Sequence, residues 1–224
     1  MEKGICRIVG AGEYSDLNFT AQPGDYIIAA DGGLLYLEQN NIKANLVIGD
    51  FDSLKPGDAH NNSFGGKIIT LNKHKDDTDT FAAVKEGIRL GYKRFYFYCC
   101  TGGRIDHTLA NIQTLAFLSK NNMSGYLFDK TNAITAITNG SISFGKKSAG
   151  FVSVFSFSEK CSGVTLTGLK YKLDNADVVN TFPIGVSNEF AAPESEISVK
   201  SGTLLVVFPK DAVEFINLRG FQNG

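Results

Sequence analysis

The sequence lacks a long apolar run, an excess of charge of either sign and a paired cysteine motif. No apolar run is long enough to span a membrane, and the start, Met-Glu-Lys-Gly-Ile-Cys-Arg, lacks the apolar core of a signal peptide. With 22 basic and 23 acidic residues, the net charge of −1 provides no electrostatic footprint for nucleic acid or an anionic membrane. We therefore expect a soluble, cytoplasmic protein that binds no nucleic acid and no membrane, so any phosphate binding must come from a local site.

Cysteine is scarce and its spacing is uninformative for metal or redox chemistry. The four cysteines, Cys6, Cys99, Cys100 and Cys161, form no Cys-x-x-Cys pair and no metal-ligand spacing. Cys99 and Cys100 lie in an apolar run, so we interpret them as small core residues rather than a redox pair. Hydrophobic residues make up 43% of the 224 residues, which is enough for the core of a globular protein with one large or two small domains.

The pattern of predicted elements changes near residue 129. Before it, short apolar strands alternate with helical segments, and in residues 80–90 Phe81, Val84 and Ile88 share one helical face. Beyond it, short β runs separated by Gly, Ser and Asn turns predict a sandwich or a small barrel, with a long irregular segment at 173–190. The pattern predicts an α/β domain over residues 1–128 and an all-β domain over residues 129–224.

The most informative stretch is Asn45-Leu-Val-Ile-Gly-Asp-Phe-Asp-Ser53. Its apolar run predicts a buried strand, and Asp50 and Asp52 follow directly after it. In open α/β sheets ligands bind at the carboxyl ends of the strands, and Mg²⁺ is bound by one or two carboxylates plus substrate phosphates. We interpret Asp50 and Asp52 as the metal-binding centre of a phosphate site; ordinary turn residues are the alternative.

Acidic residues follow two further predicted strands. Asp31 precedes Gly32 and Gly33, which allow close approach of a backbone or a ligand; a plain strand-to-helix turn is the alternative. Asp76 and Asp79 come after the strand 67–71 and could complete the metal site. Asp77 or Thr78 is the expected N-cap of the following helix, with Asp79 in its first turn.

A glycine-rich loop, Thr101-Gly-Gly-Arg-Ile-Asp-His107, joins the aromatic strand 94–100 to the next helix. Glycines before a helix start can form a backbone cradle for phosphate. Arg104 could add a bidentate fork to phosphate oxygens, and Asp106 would face the same space. A surface ion pair is the alternative for Arg104, and a capping or packed histidine is the alternative for His107.

Together these stretches resemble the thiamine pyrophosphokinase family. The matching pieces occur in the family's order: Asp31-Gly-Gly, Gly49-Asp-Phe-Asp-Ser53, Asp76-Asp-Thr-Asp79, Gly102-Gly-Arg-Ile-Asp-His107 with Asn111, and Gly185-Val-Ser-Asn-Glu-Phe190. The resemblance implies Mg²⁺-dependent transfer of pyrophosphate from ATP to the hydroxyl of thiamine, giving thiamine diphosphate and AMP. It implies an N-terminal α/β domain with a Rossmann-like parallel sheet and flanking helices, followed by an all-β sandwich domain. It also implies a homodimer whose site is shared between subunits.

The same resemblance assigns roles to individual residues. The implied Mg²⁺ ligands are Asp50, Asp52 and Asp79. The implied catalytic set adds Asp31, Arg104 and Asp106 to these three. Residues implied to contact ATP are Gly102, Gly103, Arg104, Asp106 and Asn111, and those implied to bind thiamine are Ser187 and Asn188.

The sequence departs from the family pattern in one respect, and two other functions are alternatives to this interpretation. Some family members place a Trp against the thiamine ring, but this chain has no Trp, so stacking would need Phe182, Phe190 or another aromatic. A nucleotide-sugar transferase is the rival enzyme, because Asp-x-Asp after a strand also binds a Mg²⁺–diphosphate there. A nucleotide- or thiamine-binding sensor is the rival without catalysis, although a pure binder has no need for so many carboxylates beside polyanions.

Overall fold

The computed structural model describes residues 3–49, 66–71, 77–146 and 148–220. By internal contacts the chain forms two compact units. The first unit is Met1–Thr114 with Leu127–Lys130, and the second unit is Leu115–Tyr126 with Thr131–Gly224. The units are defined by contacts alone, and the predicted domain boundary between residues 128 and 129 stays a prediction.

Parallel strands form the sheet of the first unit. Within its described residues they are β1 Cys6–Val9, β2 Tyr26–Ala30, β3 Leu46–Gly49, β4 Lys67–Thr70 and β5 Arg94–Tyr98. Their order is β5-β1-β2-β3-β4, and every neighbouring pair is parallel. All residues of β1 and β3 are buried, as is typical of strands covered on both faces, and Arg7 is the one charged residue among them. Because the strands are parallel, their carboxyl ends lie along one edge of the sheet.

Helices flank this sheet. α1 Gly33–Gln39 contacts β1 and β2, and α2 Asp79–Arg89 contacts β1, β2 and β3. The side-chain oxygen of Thr78 accepts a hydrogen bond of 3.1 Å from the N–H of Phe81, so Thr78 is the N-cap and Asp79 lies in the first turn. The prediction for the start of this helix is confirmed. α3 Ile105–Lys120 and β6 Ser124–Phe128 each contribute residues to both units.

Antiparallel strands make up most of the second unit. They are β7 Asn132–Phe144, β8 Phe151–Ser156, β9 Lys160–Thr167, β10 Leu173–Val179, β11 Gly185–Glu189, β12 Ser195–Pro209 and β13 Ile216–Gly220, with a 3-10 helix at Lys210–Phe215. β12 pairs with β7, β8 and β9, while β10 pairs with β9, β11 with β8 and β13 with β7. The protein thus contains parallel and antiparallel pairings with flanking helices.

The long strand β12 changes its buried face at a bulge. Ile197 and Val199 are buried before the bulge, whereas Leu204 and Val206 are buried after it, so the buried positions change from odd to even numbers. The register against β7 shifts between Val199 and Thr203. Between these two positions, three residues of β12 (200–202) oppose one residue of β7, Asn139. The buried positions change at this irregularity, so both halves of β12 bury their apolar side chains.

Two sequence-based expectations for this half of the chain are wrong. Residues 173–190, predicted to be irregular, contain the strands β10 and β11. The segments 133–138 and 141–144 form the single strand β7, and 196–200 and 203–208 belong to β12. In each case pairing with a neighbouring strand overrides a local turn signal.

A buried ion pair lies at the opposite end of β1 from its carboxyl edge. Arg7 and Asp25 have side chains that are 7% and 3% exposed, and their Nη2 and Oδ2 atoms are 3.0 Å apart. Asp25 also accepts hydrogen bonds from the N–H groups of Ile5 at 2.8 Å and Gln22 at 3.1 Å. Arg7 donates to the Tyr98 hydroxyl at 2.9 Å. Both charges are therefore desolvated and fully engaged with each other and with neighbouring polar groups.

The remaining global expectations concern membranes and cysteines. Across the described ranges, none of the helices combines the length and the apolar character that a membrane crossing needs. All four cysteines are unpaired and buried, as predicted for small core residues.

Candidate active site

A cavity of about 530 Å³ lies at the carboxyl edge of the parallel sheet in the first unit. Its walls come from the segments after β1, β2 and β5 and from the first turns of α2 and α3. This is the edge where open α/β sheets bind ligands, and the volume is in the range of small-molecule sites. Six of the predicted site residues line it: Asp31, Asp79, Gly102, Gly103, Arg104 and Asn111.

Two carboxylates face this cavity from neighbouring elements. Asp31 directly follows β2 and has a φ of 52°, a left-handed conformation that few residues other than glycine adopt. Its N–H donates to the carbonyl of Ile48 at 2.8 Å, and a Cβ placed at Gly49 would lie 3.2 Å from the Asp31 Cα. The last residues of β3 therefore pack directly against Asp31. Asp79 reaches the same cavity from the start of α2.

Three of the predicted acids cannot be placed. Asp50, Asp52 and Asp76 lie outside the described residues, so the predicted metal set is represented here by Asp79 alone. Within residues 3–49, 66–71, 77–146 and 148–220, no three His, Cys, Asp or Glu side chains form a group that could hold a metal ion. The metal ligands named from the sequence thus stay a prediction.

The glycine loop between β5 and α3 has the backbone of an anion cradle. Gly102 and Gly103 both have positive φ values, 73° and 58°, and they immediately precede Arg104 and the start of α3. Successive left-handed residues turn N–H groups to one side, and a helix N-terminus adds a partial positive charge. The loop thus combines backbone donors with a guanidinium at the wall of the cavity.

Arg104 is held by Asp106 in this structure. Its Nη2 and Nε lie 2.6 and 3.3 Å from the two carboxylate oxygens of Asp106, and the side chains are 72% and 61% exposed. This hydrogen bond keeps the pKa of Asp106 below its usual range. This arrangement is the surface ion pair named as the alternative for Arg104, and the predicted contact to phosphate stays a prediction. An exposed pair is weak, so it leaves Arg104 able to turn to another anion.

Asn111 and His107 lie one turn apart on α3 and both line the cavity. Asn111 is 5% exposed, and its Nδ2 donates to the carbonyl of Cys100 at 2.8 Å. This hydrogen bond ties α3 to the end of β5 and so fixes the glycine loop between them. The amide group of Asn111 therefore supports the wall of the site, whatever further contact it makes to a ligand.

The two cysteines at the end of β5 form part of the cavity wall as protonated thiols. Burial raises the pKa of Cys100 to about 12 and also raises the pKa of Cys99. A thiol with a raised pKa is a poor nucleophile and a poor metal ligand. Among the described residues, the polar groups that the cavity wall offers for binding and catalysis are therefore carboxylates, Arg104, His107 and backbone N–H groups, not thiolates.

Sequence reasoning missed the segment after β1. Gly10, Ala11, Gly12 and Glu13 all line the cavity. A Cβ at Gly12 would lie 2.5 Å from the carbonyl oxygen of Thr101, so this residue must be glycine for the two loops to meet. The position of this segment could have indicated its role, because it follows a strand of the same parallel sheet as Asp31.

The predicted thiamine residues Ser187 and Asn188 belong to β11 in the second unit. Ser187 has a φ of 56°, and its N–H donates to Ser153 Oγ at 3.0 Å. Asn188 is 2% exposed, and its amide bridges both backbone groups of Tyr171: Oδ1 accepts at 2.9 Å and Nδ2 donates at 2.6 Å. Asn188 thus fixes the segment around Tyr171 beside the exposed Ser187.

We expect Asn188→Ala to lower the free energy of unfolding by about 1–3 kcal/mol, because it leaves backbone groups of Tyr171 without their partner. Chemical unfolding of the variant and the unmodified protein measures this difference. An unchanged unfolding midpoint would contradict the bridging role.

Comparison with known proteins gives two family matches along the chain. A family model described as "Thiamin pyrophosphokinase, catalytic domain" matches residues 20–127. A second, described as "Thiamin pyrophosphokinase, vitamin B1 binding domain", matches residues 141–204. The thiamine pyrophosphokinase of Bacillus subtilis (strain 168) is 29% identical over 186 residues, which cover 82% of this chain and 87% of that protein.

Solved structures give the same answer. The crystal structure of thiamine pyrophosphokinase from Bacillus subtilis superposes with a TM-score of 0.82 at 26% identity, covering 93% of this chain and 100% of that chain. The enzyme from Geobacillus thermodenitrificans gives a TM-score of 0.81 at 25% identity, covering 94% and 99%. Yeast thiamin pyrophosphokinase, at 16% identity, shares the fold, with a TM-score of 0.75 over 95% of this chain and 89% of that chain.

The two matches fall on the two halves that the motifs had indicated, and the catalytic match covers the segments that line the cavity after β2 and β5. The resemblance inferred from the motifs is therefore confirmed. The chain belongs to the thiamine pyrophosphokinase family and is an enzyme of that family, a thiamine diphosphokinase.

Proposed function

We propose that this chain transfers pyrophosphate from ATP to the hydroxyl of thiamine, giving thiamine diphosphate and AMP, with Mg²⁺ as cofactor. The observation that carries the proposal is the cavity at the carboxyl edge of the parallel sheet, where Asp31, Asp79 and Arg104 meet the glycine loop. Transfer of a phosphoryl-type group needs positioning and charge stabilisation rather than a covalent intermediate with the protein. Carboxylates for a metal, backbone donors and one guanidinium are a suitable set for that task.

The phosphates of ATP are assigned to the loop at Gly102 and Gly103, with Asn111 supporting it. Arg104 turns from Asp106 to the phosphates and offsets the negative charge that develops on them during transfer. This exchange costs little free energy, because the Arg104–Asp106 pair is exposed to solvent and exposed ion pairs are weak. Asp106 keeps the guanidinium at the rim of the cavity until the nucleotide arrives.

Asp50, Asp52 and Asp79 are the proposed ligands of Mg²⁺. The donor set fits the ion, because Asp79 lines the cavity and β3, which ends immediately before Asp50 in the sequence, packs against Asp31 at the same edge. Carboxylate oxygens are the ligands that Mg²⁺ prefers. When bound, the ion would neutralise phosphate charge and align the transferred group.

In the proposed reaction the thiamine hydroxyl attacks the β-phosphorus and AMP leaves. Asp79 and Asp106 are the candidates for accepting the hydroxyl proton. Asp79 lines the cavity, whereas Asp106 is 61% exposed and is not among the residues that line it. We therefore place Asp79 before Asp106 as the proton acceptor, and Asp31 as a further acid beside the reacting groups.

The thiamine side of the site is assigned to Ser187 and the segment that Asn188 holds. Since the chain has no Trp, the exposed aromatic side chain nearest in sequence to these contacts is Phe182, and Tyr171 is exposed on the segment bridged by Asn188. The homodimer with a site shared between subunits is part of this proposal. So is a cytoplasmic location, which the four unpaired thiols support.

The finer description of the fold belongs to the same proposal: a Rossmann-like α/β domain followed by a β-sandwich. The parallel order β5-β1-β2-β3-β4 with flanking helices supports the first part. For the second, β12 pairs with β9 before its bulge and with β8 after it. Such a change of partner lets one strand serve both layers of a sandwich.

Incubation of the purified protein with ATP, Mg²⁺ and thiamine tests the proposed function. We expect thiamine diphosphate and AMP in equal amounts, with no product when EDTA is present. Thiamine binding without any product would support a sensor instead. Release of a nucleoside diphosphate from UDP- or GDP-sugars, without reaction of thiamine, would support the sugar transferase and contradict the proposal.

A further inference from the structure

A second ion pair, Lys130–Glu13, lies beside the glycine loop. The Nζ atom of Lys130 is 2.5 Å from Oε1 of Glu13, and Glu13 lines the cavity. A Cβ placed at Gly102 would be 2.6 Å from the Cβ of Glu13 and 2.7 Å from its Oε2. The carboxylate of Glu13 therefore binds the ammonium group of Lys130 and also lies close to Gly102, in the loop assigned to the phosphates.

Three chain segments fix this arrangement within the first unit. The N–H of Glu13 donates to the carbonyl of Thr101 at 2.8 Å, which ties the segment after β1 to the loop after β5. Lys130 follows β6 by two residues, and the ring of Phe128 in that strand stacks on Tyr98 of β5 with centroids 5.0 Å apart. The backbone positions of Glu13 and Lys130 are thus set by the sheet.

The charges around the cavity favour a further cation. Among the described residues, three carboxylates line the cavity: Asp31, Asp79 and Glu13. The basic side chains that line it are Arg104 and His107. A nucleotide triphosphate adds several negative charges to this set. Lys130 is 66% exposed and Glu13 is 57% exposed, so their pair is screened by water and separates easily in favour of a more highly charged partner.

We propose that Lys130 binds the phosphate chain of the nucleotide and exchanges Glu13 for a phosphate oxygen when the nucleotide enters. Glu13 is a positioning residue that holds the ammonium beside Gly102 before the nucleotide binds. This arrangement parallels the Arg104–Asp106 pair, so that two cations near the glycine loop each have their own carboxylate. The inference rests on the proposed function for the identity of the nucleotide.

The test compares Lys130→Met with the unmodified protein for binding of α,β-methylene-ATP, inorganic triphosphate and AMP by calorimetry in the presence of Mg²⁺. Met retains an unbranched apolar stem without the charge. We expect binding of the first two probes to weaken by at least about fivefold and binding of AMP to change by less than about twofold. Lys160→Met is the matched control, because Lys160 forms a similar exposed pair of 2.7 Å with Asp177 in the second unit.

The double variant Glu13→Gln/Lys130→Met separates direct binding from mere neutralisation of Glu13. Glu13→Gln and the double variant both lack the Glu13 charge and differ only at Lys130. If Lys130 contacts the phosphates, the double variant binds triphosphate at least about fivefold more weakly than Glu13→Gln. Equal affinity of these two variants would overturn the proposal, and so would unchanged affinity in Lys130→Met or no triphosphate binding by the unmodified protein. Because no probe is turned over, lack of transfer to thiamine would contradict the proposed function without affecting this test.

Discussion

Replacement of Asp79 by Asn is expected to lower turnover by about a hundredfold or more while the protein stays folded. Asp79 is placed at the cavity wall by the first turn of α2, and its carboxylate is assigned to both metal binding and proton acceptance. Asn keeps the size of the side chain but removes the negative charge. Steady-state rates of thiamine diphosphate formation at saturating ATP and thiamine measure the loss.

The matched control is Asp77→Asn on the same segment. Asp77 lies just before the N-cap Thr78, forms an exposed ion pair of 2.6 Å with Lys85 and does not line the cavity. We expect this variant to retain nearly full turnover. Comparable losses in both variants would show that the start of α2, rather than the carboxylate of Asp79, is what matters, and near-normal turnover of Asp79→Asn would remove Asp79 from the reacting groups.

The same reasoning applies to Asp52, which lies outside the described residues. Asp52→Asn should also remove most of the activity and leave the fold intact, because the predicted metal site loses one of its carboxylates. Circular dichroism and the product assay on the same sample check both parts of this expectation. Near-normal turnover would exclude Asp52 from the metal site.

The largest effect on stability is expected from Asp25→Ala, which should lower the free energy of unfolding by about 3–5 kcal/mol. The substitution leaves the guanidinium of Arg7 desolvated and without its counter-charge, since the Arg7 side chain is only 7% exposed. Urea unfolding followed by fluorescence or circular dichroism measures the difference. Lys130→Met, which removes an exposed charge, should change stability far less and serves as a comparison.

The double variant Arg7→Met/Asp25→Ala identifies the cause. If the cost in Asp25→Ala comes from the uncompensated charge, removal of the charge should restore much of the lost stability. If the cost comes from the lost hydrogen bonds of Ile5 and Gln22, the double variant should be no more stable than Asp25→Ala. That second result would contradict the electrostatic account of this ion pair.

The same pair predicts a dependence on pH. Burial raises the pKa of Asp25, but hydrogen bonds from the N–H groups of Ile5 and Gln22 and from Arg7 outweigh this effect, so the pKa lies below its ordinary value. A carboxyl with a lower pKa in the folded state stabilises the protein above the unfolded-state pKa of about 3.9 and loses that contribution as the pH falls through the folded-state pKa. The stability difference between the unmodified protein and Asp25→Ala should therefore narrow in acid.

Sequence patterns predicted the first unit well because its elements have strong local signals. The strands β2 and β3 are continuous apolar runs, β1 is one apart from Arg7, and α2 has both a capping residue and a helical apolar face. The parallel arrangement then brings Asp31 and the glycine loop to one edge. The inference from strand ends to a shared site needed only the rule that carboxyl ends of parallel strands meet.

The second unit was harder to predict because its strands depend on partners that are remote in sequence. Residues 173–179 contain Asp174, Asn175 and Asp177, which have low β-propensity, yet the segment pairs with β9. Gly140 resembles a turn residue, but a Cβ there would lie 2.4 Å from the carbonyl oxygen of Arg219 in β13. The glycine is thus required by a neighbouring strand, which local patterns do not reveal.

The site itself was predicted unevenly for a similar reason. Charged residues next to glycines indicate a phosphate site, so Asp31 and Arg104 could be found from the sequence, and Asp79 from its place after another predicted strand. The bridging amide of Asn188 and the segment 10–13 could not, because their roles arise from contacts with Tyr171 and Thr101. The ion pair of Lys130 could not be predicted from neighbouring residues either, since its partner Glu13 is 117 residues away in the sequence.

The most direct test of the central claim follows the phosphorus atoms of ATP. ATP labelled with ³²P at the β position is incubated with the protein, Mg²⁺ and thiamine, and the products are separated. Attack on the β-phosphorus predicts that the label appears in thiamine diphosphate and that AMP carries none. Label found in ADP, together with thiamine monophosphate, would mean that a single phosphoryl group is transferred and would contradict the mechanism.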